Sequence, residues 1–329
     1  MIEAYFGTRK WALWAWGGLF ILLSSLWLQV SITVMINEWY GSFYDLMQNS
    51  ASYVNKSQEG INLFYEKIKD FCMLAMPYVL IATITNWFTR VYGLRWRQAI
   101  TFDYLPKWRN VKQDIEGASQ RIQEDTHRFA EIIEGLGLQV VRSIMTLIAF
   151  IPVLWQLSSK TDITFFDVAE GSLVWYAFFI SIGGLIITWF VGSKLPGLEY
   201  NNQKVEAAFR KELVLGEDNK TTYAQPETIF SLFTGIRFNY QRLFNHYGYV
   251  DIWINAYDQF MVILPYLLVG PGLFTQLITL GVVVQVSNAF AKVHEGFGVF
   301  LFQFTAITEL RSIHKRLKEF EFNLTKYAI

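Results

Sequence analysis

Six stretches of this chain are apolar for about the length of a membrane crossing, and that pattern decides what it can fold into. They are residues 11–36, 71–88, 138–157, 173–191, 250–269 and 273–291, the last running through a mixed stretch to about 307. A helix needs about 20 mostly apolar residues to cross a hydrocarbon core roughly 30 Å thick. The first run is 26 residues long, too long for the apolar part of a secretory signal. It also lacks a small-residue cleavage site, so it reads as a retained start-transfer helix. The expected fold is all-α and integral to the membrane, one transmembrane domain over residues 1–329 with six transmembrane helices per protomer.

Composition closes other routes. Charged residues make up 17% of the chain, against roughly 25% in an average soluble protein. With 53% hydrophobic residues, the chain has too much apolar surface to stay disordered. Net charge is zero, with 28 basic and 28 acidic residues and no basic domain standing apart, which argues against a nucleic-acid partner. The single cysteine, Cys72, lies in an apolar run and has no partner for an intrachain disulfide.

The basic residues set an orientation. With both termini in the cytoplasm, 23 of the 28 lysines and arginines fall on or near the inner side. Lys56, Lys67, Lys69 and Lys160 face outward, and Lys292 sits in the last span. That bias predicts an N-in, C-in topology. Residues 89–137 and 192–249 are polar but keep helical periodicity and few turn formers. They predict membrane helices that run on well into the cytoplasm as two hairpins. On the outer side, the sequence predicts a connection of about 34 residues after the first span and a short polar loop at Ser158–Ser172. A tight reversal follows at Gly270-Pro271-Gly272.

Each inner extension carries an acidic stripe relieved by one arginine. Glu124, Arg128, Glu131, Gly135 and Leu138 are spaced by four and three residues, with Glu134 just off the stripe. On the falling arm, Glu199, Gln203, Glu206, Arg210 and Glu217 share a face. Steps of seven, four and seven residues return to within about 20° of the start at 100° per residue. Solvated faces with i,i+4 ion pairs are the plain explanation for Glu124, Glu131 and Glu199. Glu134 differs, because it lies four residues before the third span, between helix faces where lipid exposure is costly. Desolvation there raises a carboxyl toward neutrality, as a reversible proton carrier requires. Inside the spans, Lys292 and Glu295 are three apart and suited to pair with one another. Asp251 and Asp258 lie seven apart on one face and suit an aqueous cavity. Glu124, Glu199, Arg210, Asp258, Lys292 and Glu295 are thus candidates for a cavity lining or gate.

The four histidines, His127, His246, His294 and His314, lack metal-ligand spacing. No phosphate-binding glycine loop and no nucleophile elbow occur. The chain is therefore expected to be no enzyme, to bind no nucleotide itself, and to need neither metal nor cofactor.

Longer strings carry a resemblance. Glu116-Gly117-Ala118-Ser119-Gln120-Arg121-Ile122-Gln123-Glu124-Asp125-Thr126-His127-Arg128-Phe129-Ala130 resembles the inner hairpin of the SbmA/BacA family of peptide-antibiotic uptake transporters. So do Ile144-Met145-Thr146-Leu147-Ile148-Ala149-Phe150-Ile151-Pro152-Val153-Leu154 and Lys194-Leu195-Pro196-Gly197-Leu198-Glu199. The same holds for Val205-Glu206-Ala207-Ala208-Phe209-Arg210-Lys211-Glu212-Leu213, Gly216-Glu217-Asp218 and Leu94-Arg95-Trp96-Arg97. The resemblance implies a domain-swapped homodimer with an ABC-exporter-type transmembrane domain and no ATPase. It implies proton-driven import of peptides across the bacterial inner membrane, and it places the coupling carboxylates on Glu134, Glu206 and Glu217. Its implied partners are a second copy, peptides, protons and membrane lipid. Two other functions fit the same outline, a permease subunit powered by a separate ATPase docked on the inner hairpins, and a non-transporting envelope scaffold.

Overall fold

A computed structural model describes residues 1–113, 115, 117–161 and 171–327, apart from the side chains at 300–302, 304 and 305. Its elements are helices. A short α1 (Ile2–Phe6) precedes α2 (Arg9–Ala12), which passes through a π-helical turn at Leu13–Gly17 into α3 (Gly18–Gln48). A 3₁₀ stretch at Asn49–Lys56 leads into α4 (Ser57–Arg109), 53 residues long. The next helical run holds α5 (Ala118–Gln120), a π-turn at Arg121–Asp125, α6 (Thr126–Ile132), a second π-turn at Ile133–Gly137, and α7 (Leu138–Ser158). Then come α8 (Ser172–Gly192), α9 (Leu195–Asp218), α10 (Pro226–Val269), α11 (Pro271–Phe274), α12 (Leu280–Phe302) and α13 (Phe304–Lys326).

Among the described residues, four helical runs are long and apolar enough to cross a membrane: Arg9–Arg109, Ala118–Ser158, Ser172–Asp218 and Pro226–Phe274. The first is 101 residues long and turns at 49–56, so it holds two of the apolar stretches. The sixth stretch, in α12, is diluted by Gln285, Asn288, Lys292, His294 and Glu295 and is not among the four. The lengths arise because the polar hairpin arms continue the apolar helices, with a two-residue turn at 193–194 between α8 and α9.

Two boundaries differ from expectation. The outer connection after the first span is mostly helix, because α3 runs to Gln48 and α4 starts at Ser57. Aromatic packing stabilises it. Trp39 stacks on Phe43 at 4.6 Å and meets Phe71 at 4.8 Å, while its indole N–H donates to the Lys67 carbonyl at 2.7 Å. The sixth helix starts at Leu280, after Gly270–Thr279 turn through the short α11. Its first amides donate to side chains of α3, Leu280 N to Gln48 Oε1 at 2.7 Å and Gly281 N to Asp45 Oδ1 at 2.9 Å. A carboxylate at a helix N-terminus satisfies free N–H groups and opposes the helix dipole favourably. Gly281 is required there, because a Cβ would lie 2.0 Å from the Gly41 carbonyl oxygen. The expected loop at Ser158–Ser172 lies largely outside the described residues, but Ser158 Oγ and Ser172 Oγ at its ends are 3.1 Å apart.

The chain divides into two compact units, residues 1–178 with 265–329, and residues 179–264. In the first, Gln29 bridges the α3–α4–α7 bundle. Its Nε2 donates to Thr85 Oγ1 at 2.9 Å and its Oε1 accepts from Arg142 Nη2 at 3.1 Å. In the same unit a core of Tyr5, Trp96, Ile100, Tyr104, Phe129, Ile313, Leu317 and Phe320 joins α1, α4, α6 and α13. In the second unit, Trp253 Nε1 donates to Thr188 Oγ1 at 2.9 Å and the Tyr257 hydroxyl to the Ile180 carbonyl at 3.1 Å. These bonds hold α10 against α8. The far end of that hairpin is a tight turn in which Asn219 Oδ1 accepts from the amides of Thr221 and Thr222, and the Ala224 amide donates to Glu212.

Candidate functional site

Glu134 sits in the π-turn Ile133–Gly137, just ahead of the apolar span 138–157. A π-turn inserts a residue into the helical ladder and re-aims the side chains around it. This turn and the one at Arg121–Asp125 fall on the helical run that carries the expected stripe from Glu124 to Leu138. Arg128, Glu131 and Gly135 of the stripe are exposed, whereas Glu134 has 31% of its side chain accessible. The adjacent α4 contributes Gly93, where a Cβ would lie 3.4 Å from Glu134 Oε2, so the bare backbone lets the carboxylate lie close. The nearest cation is Arg90, whose Nε is 3.8 Å from Glu134 Oε1 and whose side chain is 77% exposed. A contact that long, to a solvated arginine, is a weak restraint.

Nine residues earlier on the same helical run lies a carboxylate the sequence did not single out. Asp125 is buried, 2% exposed, in the first π-turn. Arg316 of α13 grips it with both ends of its guanidinium, Nε to Oδ2 at 3.1 Å and Nη2 to Oδ1 at 2.7 Å. Arg121 Nη1 adds a third bond to Oδ2 at 2.7 Å. Asp125 lies well before the apolar span, in the polar helical extension. Burial works against its charge, but the bonds from Arg316 and Arg121 prevail and hold the carboxyl below its ordinary range. The hydrogen bond from Asp125 in turn raises Arg316. Arg121–Asp125 was visible as an i,i+4 pair, whereas the 191-residue separation of Asp125 from Arg316 has no local signal.

Other candidates fall into place around these two. Glu124 pairs with Arg128 at 3.0 Å and accepts from Gln120 Nε2 at 3.2 Å, while Arg128 also reaches Glu309 of α13 at 3.3 Å. Lys292 and Glu295 pair at 2.7 Å, as their spacing suggested. In residues 179–264, α9 is continuous, so Glu199, Glu206, Arg210 and Glu217 keep their common face. Glu206 is half-buried and lines a shallow cleft of about 720 Å³ with Asn202, Arg210 and Tyr240. Glu199 accepts from the Tyr247 hydroxyl, and Glu217 is exposed near the helix end. Asp258 lies exposed on α10 beside the buried Tyr257. No group of three or more potential metal ligands occurs among the described residues.

The fold and these carboxylates define a polytopic, all-helical membrane protein with acids in and beside the polar extensions of its apolar helices. The sequence profile of the SbmA/BacA-like family matches residues 8–325, and the chain belongs to that family. It is 26% identical over 321 residues to the inner membrane ABC transporter ATP-binding protein YddA of Escherichia coli K12, covering 91% of this chain and 56% of YddA. It is 24% identical over 307 residues to an ABC transporter ATP-binding protein of Haemophilus influenzae, covering 87% and 50%. It is 26% identical over 289 residues to the chloroplastic ABC transporter D family member 2 of Arabidopsis thaliana, covering 82% and 38%. The chain thus spans about half the length of the bacterial relatives it matches.

Proposed function

We propose that this chain is a transporter, not an enzyme, which imports peptides across the bacterial inner membrane as a domain-swapped homodimer driven by the proton gradient. Each protomer crosses six times with both termini inside, and access to a central polar cavity alternates between the two sides. Glu134, Glu206 and Glu217 bind and release the protons. Protonation removes like charge from the ladder and shifts the balance between outward-open and inward-open states. Protons load from the more acidic outside and leave to the cytoplasm.

The observation that carries this is Glu134. It belongs to a chain matched by the SbmA/BacA-like family over residues 8–325, and it lies half-buried at the end of an apolar span with only a solvated arginine nearby. A carboxylate so loosely held changes its protonation state at low cost. The test is uptake of a labelled peptide into proteoliposomes with an imposed pH gradient and no nucleotide. Uptake is expected for the unaltered chain and its loss for Glu134→Gln and Glu206→Gln, with protein level and dimerisation intact. Full uptake by both variants contradicts the proposal.

A second function has its own support. The two bacterial relatives carry ATP-binding protein in their names, and the chain covers 56% and 50% of them. That favours a membrane part powered by an ATPase, within the same polypeptide or beside it. Uptake that needs ATP while the proton gradient is clamped selects this alternative.

A further inference from the structure

Beside Glu134 the bundle leaves an apolar cavity of about 210 Å³ between α3, α4 and the start of α7. Leu22, Leu26, Tyr92, Trp96 and Leu138 form its walls, and Phe6 of α1 borders one end. Glu134 is the one acidic residue of the lining, which holds no lysine, arginine or histidine. Two hydroxyls of the walls are engaged with backbone. The Tyr92 hydroxyl donates to the Ala15 carbonyl at 3.0 Å, and the Thr89 hydroxyl to the Thr85 carbonyl at 2.7 Å. The buried Trp96 Nε1 has no hydrogen-bond partner among the described residues. The cavity therefore presents mostly hydrocarbon on its walls, with one carboxylate at its rim. Its volume, about seven water molecules' share of the liquid, is small beside the roughly 300–1,000 Å³ of a drug-sized site.

We infer that this cavity is a binding site for a small lipophilic amine, a compact apolar body carrying one ammonium group. The body fills the space between the leucines and the indole, and the ammonium pairs with the Glu134 carboxylate in place of the distant Arg90. A charged hydrogen bond in a water-poor site is stronger than the present 3.8 Å contact to a solvated guanidinium. Depth favours the same ligand. The cavity lies where the apolar runs of α3 and α7 begin, the level at which an amphiphile keeps its charge at the headgroups and its apolar body below. An amine held there fixes Glu134 in its ionised form. The consequence for transport rests on the proposed proton coupling, whereas the binding itself does not.

The test uses the purified full chain in phosphatidylcholine nanodiscs and equilibrium dialysis of radiolabelled 1-adamantylamine. Expected is saturable binding of one amine per chain, weakened at least tenfold in Glu134→Gln and in the cavity-filling Leu138→Phe, and retained in Glu134→Asp. The neutral isostere 1-adamantanol is expected to bind at least tenfold more weakly. Uptake into the disc that does not saturate, or saturable binding that Glu134→Gln leaves unchanged, overturns the inference. Keeping the charge in Glu134→Asp separates loss of the carboxylate from loss of the fold. Saturable binding that leaves peptide uptake untouched supports the site and counts against the proton role of Glu134 instead.

Discussion

Asp125 and Glu134 lie nine residues apart on one helical run, each inside a π-turn, yet their surroundings are opposite. Asp125 is buried and takes three charged hydrogen bonds from two arginines, one of them in α13. Glu134 is half-buried and meets one solvated arginine at 3.8 Å. Three short bonds fix one ionisation state and tie the inner end of this helix to the C-terminal helix. A single long contact holds the second group loosely. One helix thus carries an anchor and, one π-turn later, a group suited to change state.

The contrast breaks first, and most severely, at the second position. Glu134→Gln is expected to reduce gradient-driven peptide uptake to background while thermal stability moves by less than about 1 kcal/mol, since the weak contact contributes little. Asp125→Asn is expected to do the reverse. Removing one partner of a buried ion pair costs about 3–5 kcal/mol, and the partial exposure of both arginines reduces that to about 2–3 kcal/mol. A thermal melt of the solubilised protein checks it, with the rate of uptake per folded chain largely kept.

Acid sharpens the comparison. The folded-state value of Asp125 lies below that of the unfolded chain, so its stabilisation is present above about pH 4, the ordinary aspartate range, and fades as pH falls through the folded value. The melting temperatures of the unaltered chain and Asp125→Asn are therefore expected to differ at pH 7 and to draw together as pH falls below about 4. The smallest effect belongs to Arg128→Gln. Arg128 joins the same two elements through Glu309 at 3.3 Å but is half exposed, and exposed pairs contribute roughly 0–1 kcal/mol. A shift in its melt as large as that of Asp125→Asn would remove the distinction between buried anchor and surface pair.

Much of the fold was legible because membrane crossing leaves a coarse signature. The apolar runs, the polar helical hairpins and the boundary position of Glu134 all follow from composition along the chain. The continuous face of Glu199, Glu206, Arg210 and Glu217 survives because α9 has no irregularity. The stripe through Glu124, Arg128 and Glu131 stays accessible as well, although its run holds two π-turns that 3.6-residue periodicity cannot foresee. Asp125 escaped notice for a different reason. Its decisive partner, Arg316, is brought in by packing of α13 on Phe129 and Trp96, a contact among distant aromatic and aliphatic residues. The start of the sixth helix at Leu280 depended likewise on Asp45 and Gln48 of another helix.

The most direct measurement follows the proton itself. Vesicles holding the purified chain and a trapped pH-sensitive dye, given an acidic exterior and then a peptide without nucleotide, should acidify inside only when the peptide is added. That response should vanish in Glu134→Gln. Peptide-triggered acidification of equal size in Glu134→Gln would contradict the role given to this carboxylate.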